Sequence, residues 1–227
     1  MARCNYLSSD RPDIAFAVKE LCRQMSSPKP SDIVSLKRMC RYLKGKGRLV
    51  QLIPTAPRSG GASWELKVYV DSDWAGCRKT RKSTNGGCLM IGGACMKLWS
   101  STQAVLALSS GEAEYYAALK GVAIALGFKS MAKDLGEDVR IRLFSDSAAA
   151  LGIIGRRGLG KVRHLDTGYL WLQDAVAKKK LSIAKVKGVD NPADLGTKFL
   201  KSEDIDKHLT FLGYTAEDGR SHIVPSI

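Results

Sequence analysis

Six cysteines, at positions 4, 22, 40, 77, 88 and 95, are scattered without one Cys-x-x-Cys pair or Cys/His cluster. A structural zinc site therefore lacks its usual donor set. Nothing in the sequence resembles a signal peptide, and no apolar run is long enough to cross a bilayer. The expectation is an intracellular chain, cytoplasmic or nuclear, with free thiols and no membrane partner. Cys77, Cys88 and Cys95 fall in strand-like segments and read as packing residues. There is no internal repeat. Acidic charge is also short: 22 Asp and Glu face 36 Lys and Arg, giving a net charge of +14 and a pI near 9.6. A surface that basic attracts polyanions at long range, nucleic acid first among them.

Core-forming residues are plentiful. Of 227 residues, 44% are apolar and 26% charged, which suits one domain with an appendage or two small domains. Residues 10–26 read as a helix, with Asp10 as cap, Pro12 in the first turn and Ile14, Val18, Leu21, Cys22 and Met25 as its stripe. Pro28 and Pro30 stop it, and Ser31 opens a second helix striped by Ile33, Leu36, Cys40 and Leu43. Together these predict a helical hairpin packed on something larger. A short strand, 49–53, follows, and then a proline- and glycine-containing linker at 54–64.

From residue 65 the pattern is α/β. Strands are predicted at 66–70, 86–91 and 94–99, the last two joined by a Gly92-Gly93 hairpin turn. A long helix, 109–135, starts at Ser109 and Glu112, which have capping-box spacing, and shows a small-residue face of Ala113, Ala117, Ala118, Gly121 and Ala125. A strand at 140–145, a helix from Asp146 to Ile154, a basic glycine-rich loop at 155–163, a helix at 164–177, a strand at 181–186 and a short helix capped by Asn191 complete the series. The tail after 200 is polar and irregular. Three successive strands form an antiparallel meander, and helical crossovers add parallel strands beside the first. The predicted fold is a mixed five-stranded sheet flanked by helices.

Four acids hold related positions in this plan. Asp71 and Asp146 end strands that would be parallel neighbours, so both emerge at the edge where α/β sheets bind ligands. Glu114 lies early in the long helix, and Asp194 in the first turn of the last. Gathering carboxylates costs electrostatic energy unless a cation compensates, and hard oxygen donors suit Mg²⁺. Two such ions can activate a water and stabilise the leaving oxygen of a phosphodiester. In that reading Asp71 bridges both ions, Glu114 and Asp146 hold the one near the leaving group, and Asp194 completes the one that activates water. Three of the four acids also have a plain structural explanation: Asp146 as a helix cap, Asp194 as a dipole-favoured acid, Asp71 as a turn residue. Asp73 shares a strand face with Asp71, and spacing does not choose between them.

Five segments resemble the RNase H domain of copia-type LTR retrotransposon polyproteins: VYVDSDWAGC (68–77) with RKSTNGGCLMIGG (81–93), WSSTQAVLALSSGEAEYYAAL (99–119), LFSDSAAAL (143–151), KVRHLDTGYLWLQD (161–174) and VDNPADLGTKFL (189–200). NYLSSDRPDIAFAVKELCRQMSSP and LKRMCRYLKG resemble the preceding end of the reverse transcriptase region. The resemblance implies an RNase H-like fold at 65–200, a helical segment like the end of the reverse transcriptase region at 1–53, a linker at 54–64 and a tail at 201–227. It implies Asp71, Glu114, Asp146 and Asp194 as catalytic metal ligands, with two Mg²⁺ ions (Mn²⁺ being an alternative), and it favours Asp71 over Asp73. The implied reaction is endonucleolytic cleavage of the RNA strand of an RNA/DNA hybrid. The sequence departs from the pattern in lacking the polymerase aspartates, so a polymerase partner would act in trans. It also lacks the loop histidine that cellular RNase H enzymes carry before the last aspartate. A silent or domesticated binding module is the alternative class.

A hybrid is near A-form and is read through phosphates, minor groove and 2′-hydroxyls. Candidate contacts are Ser72, Ser83, Thr84, Asn85, Ser110 and Ser147 near the acids, and Arg156, Arg157, Lys161 and Arg163 in the basic loop. His164 could touch the backbone or be structural. Trp74 and Trp99 read as core residues.

Overall fold

A computed structural model describes residues 1–54, 64–160, 162 and 164–219. Most of the expected linker, at 55–63, lies outside the described residues, as do Lys161, Arg163 and the last residues of the tail. The sheet is the predicted one. β2 (Trp64–Asp73) pairs antiparallel with β3 (Thr84–Ile91), which pairs antiparallel with β4 (Ala94–Thr102). On its other side β2 runs parallel to β5 (Val139–Ser145), itself parallel to β6 (Leu181–Lys185), for an order β4-β3-β2-β5-β6. Gly92 and Gly93 both have positive φ, +57° and +88°, as a tight hairpin turn needs.

Alternation along β2 sorts its side chains. Leu66, Val68 and Val70 enter the larger core, with Leu89, Leu143, Ile154 and Leu172. Burial of each such aliphatic side chain is worth roughly 1.5–3 kcal/mol. α4 (Ser110–Asp134) lies on this face. The Ser109 Oγ accepts from the Glu112 amide at 3.2 Å, and the Glu112 carboxylate accepts from the Leu108 amide at 3.0 Å. Its small residues let the backbone sit close to the sheet: a Cβ on Gly121 would come within 2.6 Å of the Val70 methyl. α5 (Ala148–Gly155) and α6 (Trp171–Ala177) complete the layer.

The opposite face is covered by chain from both ends. Tyr69, Cys88, Met90 and Cys95 pack there with Leu195, Leu209, Leu212 and Tyr214. The segment after 200, expected to be irregular, forms α7 (Ser202–Phe211) and β7 (Tyr214–Glu217). β7 pairs antiparallel with β1 (Arg48–Gln51), Gln51 opposite Tyr214. Ile205, Leu209 and Leu212 supply a narrow helical stripe. Polar neighbours hide that stripe in the sequence.

The helical hairpin forms with shifted boundaries. α1 (Ala2–Leu7) precedes a short 3-10 turn, Pro12–Ile14, and α2 (Ala15–Cys22); α3 is Pro30–Gly45. Asp10 caps nothing, since Arg11 occupies the cap of the 3-10 turn. Ser31 is inside α3, whose cap is Lys29, its amide donating to Asp32 at 2.7 Å. Ile14, Val18, Leu21 and Met39 form a separate small core. The expected helix at 164–177 starts later, as a 3-10 turn at Thr167–Leu170 capped by Asp166.

Two packing expectations are corrected. Trp74 is 46% exposed, with its indole N–H donating to the Ala107 carbonyl at 3.0 Å, while Trp99 is buried as expected. Cys77 sits in the turn after β2 and not in a strand. Hydrogen bonds from Thr80 foremost, and from Arg23, lower its thiol to about 6. No helix among the described residues is long and apolar enough to cross a membrane.

Candidate active site

β2, α4 and the end of β5 converge on one acidic centre. Asp71 lies in β2, opposite Gly86 of β3, and is 6% exposed. Glu114 is on the fifth residue of α4, buried, and reaches back to the strand. Asp146 follows the last residue of β5. One carboxylate oxygen from each of the three lies within 4.8 Å of the others. Asp194 comes from a 3-10 turn, Pro192–Gly196, capped by the Asn191 side chain, and faces Asp71 from the second face of the sheet.

Neighbouring groups fix these carboxylates in orientation. The Ser72 amide and hydroxyl both donate to Glu114 Oε1, at 3.0 and 3.1 Å, while Glu114 Oε2 is buried with no hydrogen-bond partner among the described residues. The Thr197 hydroxyl, fully buried, donates to Asp71 Oδ2. The Asn191 amide donates to the Val70 carbonyl at 2.9 Å, tying the Asp194 turn to β2. Lys198 Nζ is 2.9 Å from Asp194 Oδ1 without the alignment of a full hydrogen bond.

Crowding raises the proton affinity of the centre. Burial, then Asp71 and Asp146, push Glu114 up to about 8. Burial and Asp71 push Asp194 up to about 7 against the pull of Lys198. Burial and Asp71 raise Asp146 as well. A buried carboxylate oxygen with no partner and acids that resist ionisation together are what a divalent cation would relieve. The donor set, all oxygen, fits a hard cation of that kind.

Asp73 is outside the cluster of three. It pairs with Thr84 in the ladder, and its carboxyl is raised chiefly by burial, with Lys19 pulling it down. Asp146 does not cap α5; the Ser147 side chain does, accepting from the Ala150 amide at 3.2 Å.

The candidate nucleic-acid contacts separate on burial. Ser83 is a correction: it is fully buried, and its hydroxyl accepts from the Ala75 amide at 3.0 Å, so it cannot face a ligand. Thr84 and Asn85 are nearly as buried, partnered by Lys19 and Gln103. Ser72 is spent on Glu114, and Ser147 on its helix. Ser110 and Arg157 are exposed. Arg156 turns inward to donate to the Leu159 carbonyl at 2.6 Å. Lys161 and Arg163 lie outside the described residues. His164 approaches the buried Glu112 carboxylate at 2.8 Å, which favours the structural role.

Sequence reasoning missed Thr197, Lys198 and Lys19. Thr197 and Lys198 stand in the quoted segment that ends at 200, three and four residues past Asp194. That spacing is one helical turn, and it was the available signal. Lys19 offered none, because its approach to β3 is a tertiary contact.

No family model matches the chain. The retrovirus-related Pol polyprotein from transposon TNT 1-94 of Nicotiana tabacum is 30% identical over 190 residues, 83% of this chain and 14% of that polyprotein. The corresponding polyprotein from transposon RE1 of Arabidopsis thaliana is 27% identical over 220 residues, 92% of this chain. The chain thus spans 14% of the length of each of these two relatives. Among solved structures, the N-terminal RNase H domain of a Mycobacterium tuberculosis protein matches with a TM-score of 0.40 and 14% identity, over 65% of this chain and 98% of that one.

Proposed function

Since the homologues of the chain are copia-type, retrovirus-related Pol polyproteins of transposons, we propose that it is an RNase H-type nuclease unit that hydrolyses the RNA strand of an RNA/DNA hybrid. Asp71, Glu114, Asp146 and Asp194 are its metal ligands in this reading. One observation carries it: three carboxylates from β2, α4 and the end of β5 share one centre, with a buried, unpartnered Glu114 oxygen. Residues 1–53 would correspond to the end of a reverse transcriptase region and 65–200 to the nuclease unit.

The residues divide the task. Ser72 holds one oxygen of Glu114 and leaves the other for a ligand. Thr197 holds one oxygen of Asp71 and so fixes the orientation of that carboxylate. The raised proton affinities of Glu114 and Asp194 make both acids exchange protons for metal near neutral pH. Two Mg²⁺ ions bound there, with Mn²⁺ as a substitute, would supply an activated water and charge neutralisation at the leaving oxygen. Substrate discrimination falls to groups that meet the 2′-hydroxyls of the RNA strand.

The test is a cleavage assay on a labelled hybrid with Mg²⁺, with EDTA, and on the same RNA alone. Cleavage of the hybrid only, lost with EDTA, is expected. Binding without metal-dependent cleavage would instead identify a silent module, and preference for double-stranded DNA would refute the hybrid reading.

A further inference from the structure

The turn after the carboxylate strand carries charge of the opposite sign. Residues 77–82, Cys-Arg-Lys-Thr-Arg-Lys, link β2 to β3. Arg78, Lys79 and Arg81 are exposed, and no described acid pairs with them. Four cations in six residues would repel one another in a loose loop. Here they are held in a closed turn. The Arg81 amide donates to the Cys77 carbonyl at 2.7 Å and the Cys77 amide to the Lys82 carbonyl at 3.2 Å. Lys82 Nζ is tied to the Ala104 carbonyl at 2.7 Å. Arg81 has φ +56°, a left-handed conformation that glycine or asparagine adopts at lower cost. The turn thus displays an arginine where the backbone alone favours an uncharged residue.

A second element braces it. From the residue that ends α2, the Arg23 guanidinium donates to Cys77 Sγ at one end of the turn. Lys19 Nζ donates to Thr84 Oγ1 at 2.7 Å at the other, where Thr84 pairs with Asp73. The front segment therefore fixes the direction of the turn and sets two cations beside it, which share the one Glu20 carboxylate. The position also fits a duplex. Asp73 is two strand residues beyond Asp71, about 7 Å. Phosphates on one strand recur about every 3.4 Å of duplex axis. On the nuclease reading, phosphates a few nucleotides from a bond held at the carboxylates would fall towards the turn that begins just past Asp73.

We infer that the 78–82 turn, braced by α2, is a phosphate-binding surface that grips the backbone of a nucleic-acid duplex beside the carboxylate centre. The inference rests on the nuclease reading for its partner, but binding can be measured apart from cleavage. A turn whose backbone is closed by its own hydrogen bonds has less freedom to lose on contact than an open loop, which separates such a surface from a merely solvated one.

The experiment is fluorescence anisotropy of a short RNA/DNA hybrid with the full chain carrying Asp71→Asn, across a salt series in EDTA. The triple variant Arg78→Gln, Lys79→Gln, Arg81→Gln changes only exposed side chains and is compared by its melting temperature. Loss of three phosphate contacts flattens the slope of log affinity against log salt by up to about 2.7. Arg23→Met, which removes the brace and no turn cation, is expected to weaken binding by a smaller factor. An unchanged slope and affinity in the triple variant would overturn the inference, whatever the cleavage assay shows. A flattened slope would support it even if wild-type chain failed to cut the hybrid.

Discussion

Asp71 and Arg78 stand close in sequence on either side of the end of β2, in opposite physical situations. Asp71, Glu114 and Asp194 are buried, Asp146 is half-buried, and burial with mutual repulsion raises the proton affinity of Glu114 and Asp194. The bases are exposed and free of acid partners among the described residues. Burial converts charge density into raised proton affinity and into a demand for a cation. Exposure leaves charge as a salt-screened field that acts on a polyanion. One strand end thus joins a place that wants a metal to a place that wants phosphate.

Breaking the buried side has the largest expected effect. Asp71→Asn or Asp146→Asn should reduce hybrid cleavage to background while hybrid binding persists, read by gel cleavage and anisotropy on the same samples. Loss of binding along with cleavage would mean that the acids hold the fold and not the metal.

Thr197→Val tests whether orientation of Asp71 matters as much as its charge. Groups that orient metal ligands typically contribute about 10–100-fold in metal affinity or activity. The half-saturating Mg²⁺ concentration should rise by about that factor, and Thr197→Ser should restore it. A Val variant with unchanged metal dependence would leave Thr197 as core packing only.

Stability without metal should depend on pH in a defined direction. Glu114 goes from 4.5 to about 8 on folding, so the folded chain binds the extra proton between those values. Stability is then greatest below about 4.5, as far as this group is concerned, and falls as pH rises towards 8. Asp194, raised to about 7, adds in the same sense. Melting temperatures in EDTA should fall over this window, and Glu114→Gln should flatten the fall. Mg²⁺ should raise the melting temperature more at the top of the window than at the bottom.

The smallest effect sharpens the exposed side. Arg157→Gln should leave stability within about 0.5 kcal/mol, as exposed substitutions usually do. Any effect it has should appear only in the salt dependence of hybrid binding. A shift in melting temperature beyond that range would show that Arg157 carries structural contacts.

Much of this was legible before any coordinate. Period-two runs at 66–70 and 140–145 and the small-residue face of α4 specify strands and a close-packed helix, because burial dictates residue type. Gly92-Gly93 announces its turn through backbone sterics alone. Burial of Ser83 and exposure of Trp74 were not legible, because both depend on how the 74–83 segment folds back on itself. The stripe of Ile205, Leu209 and Leu212 was too narrow to stand out from its polar surroundings.

The sequence by itself determined the elements, their order and the four acids at their ends, since local propensity and hydrophobic period act between near neighbours. Tertiary structure decided the rest. It drew Glu114 and Asp146 to Asp71, the aspartate that the family resemblance favours over Asp73. It brought Thr197 to Asp71 and β7 to β1, pairs of segments far apart in the chain. It braced a basic turn with a helix from the front segment. These are contacts between residues far apart in sequence, fixed by packing geometry, and no local pattern encodes which distant side chain will fill a given place.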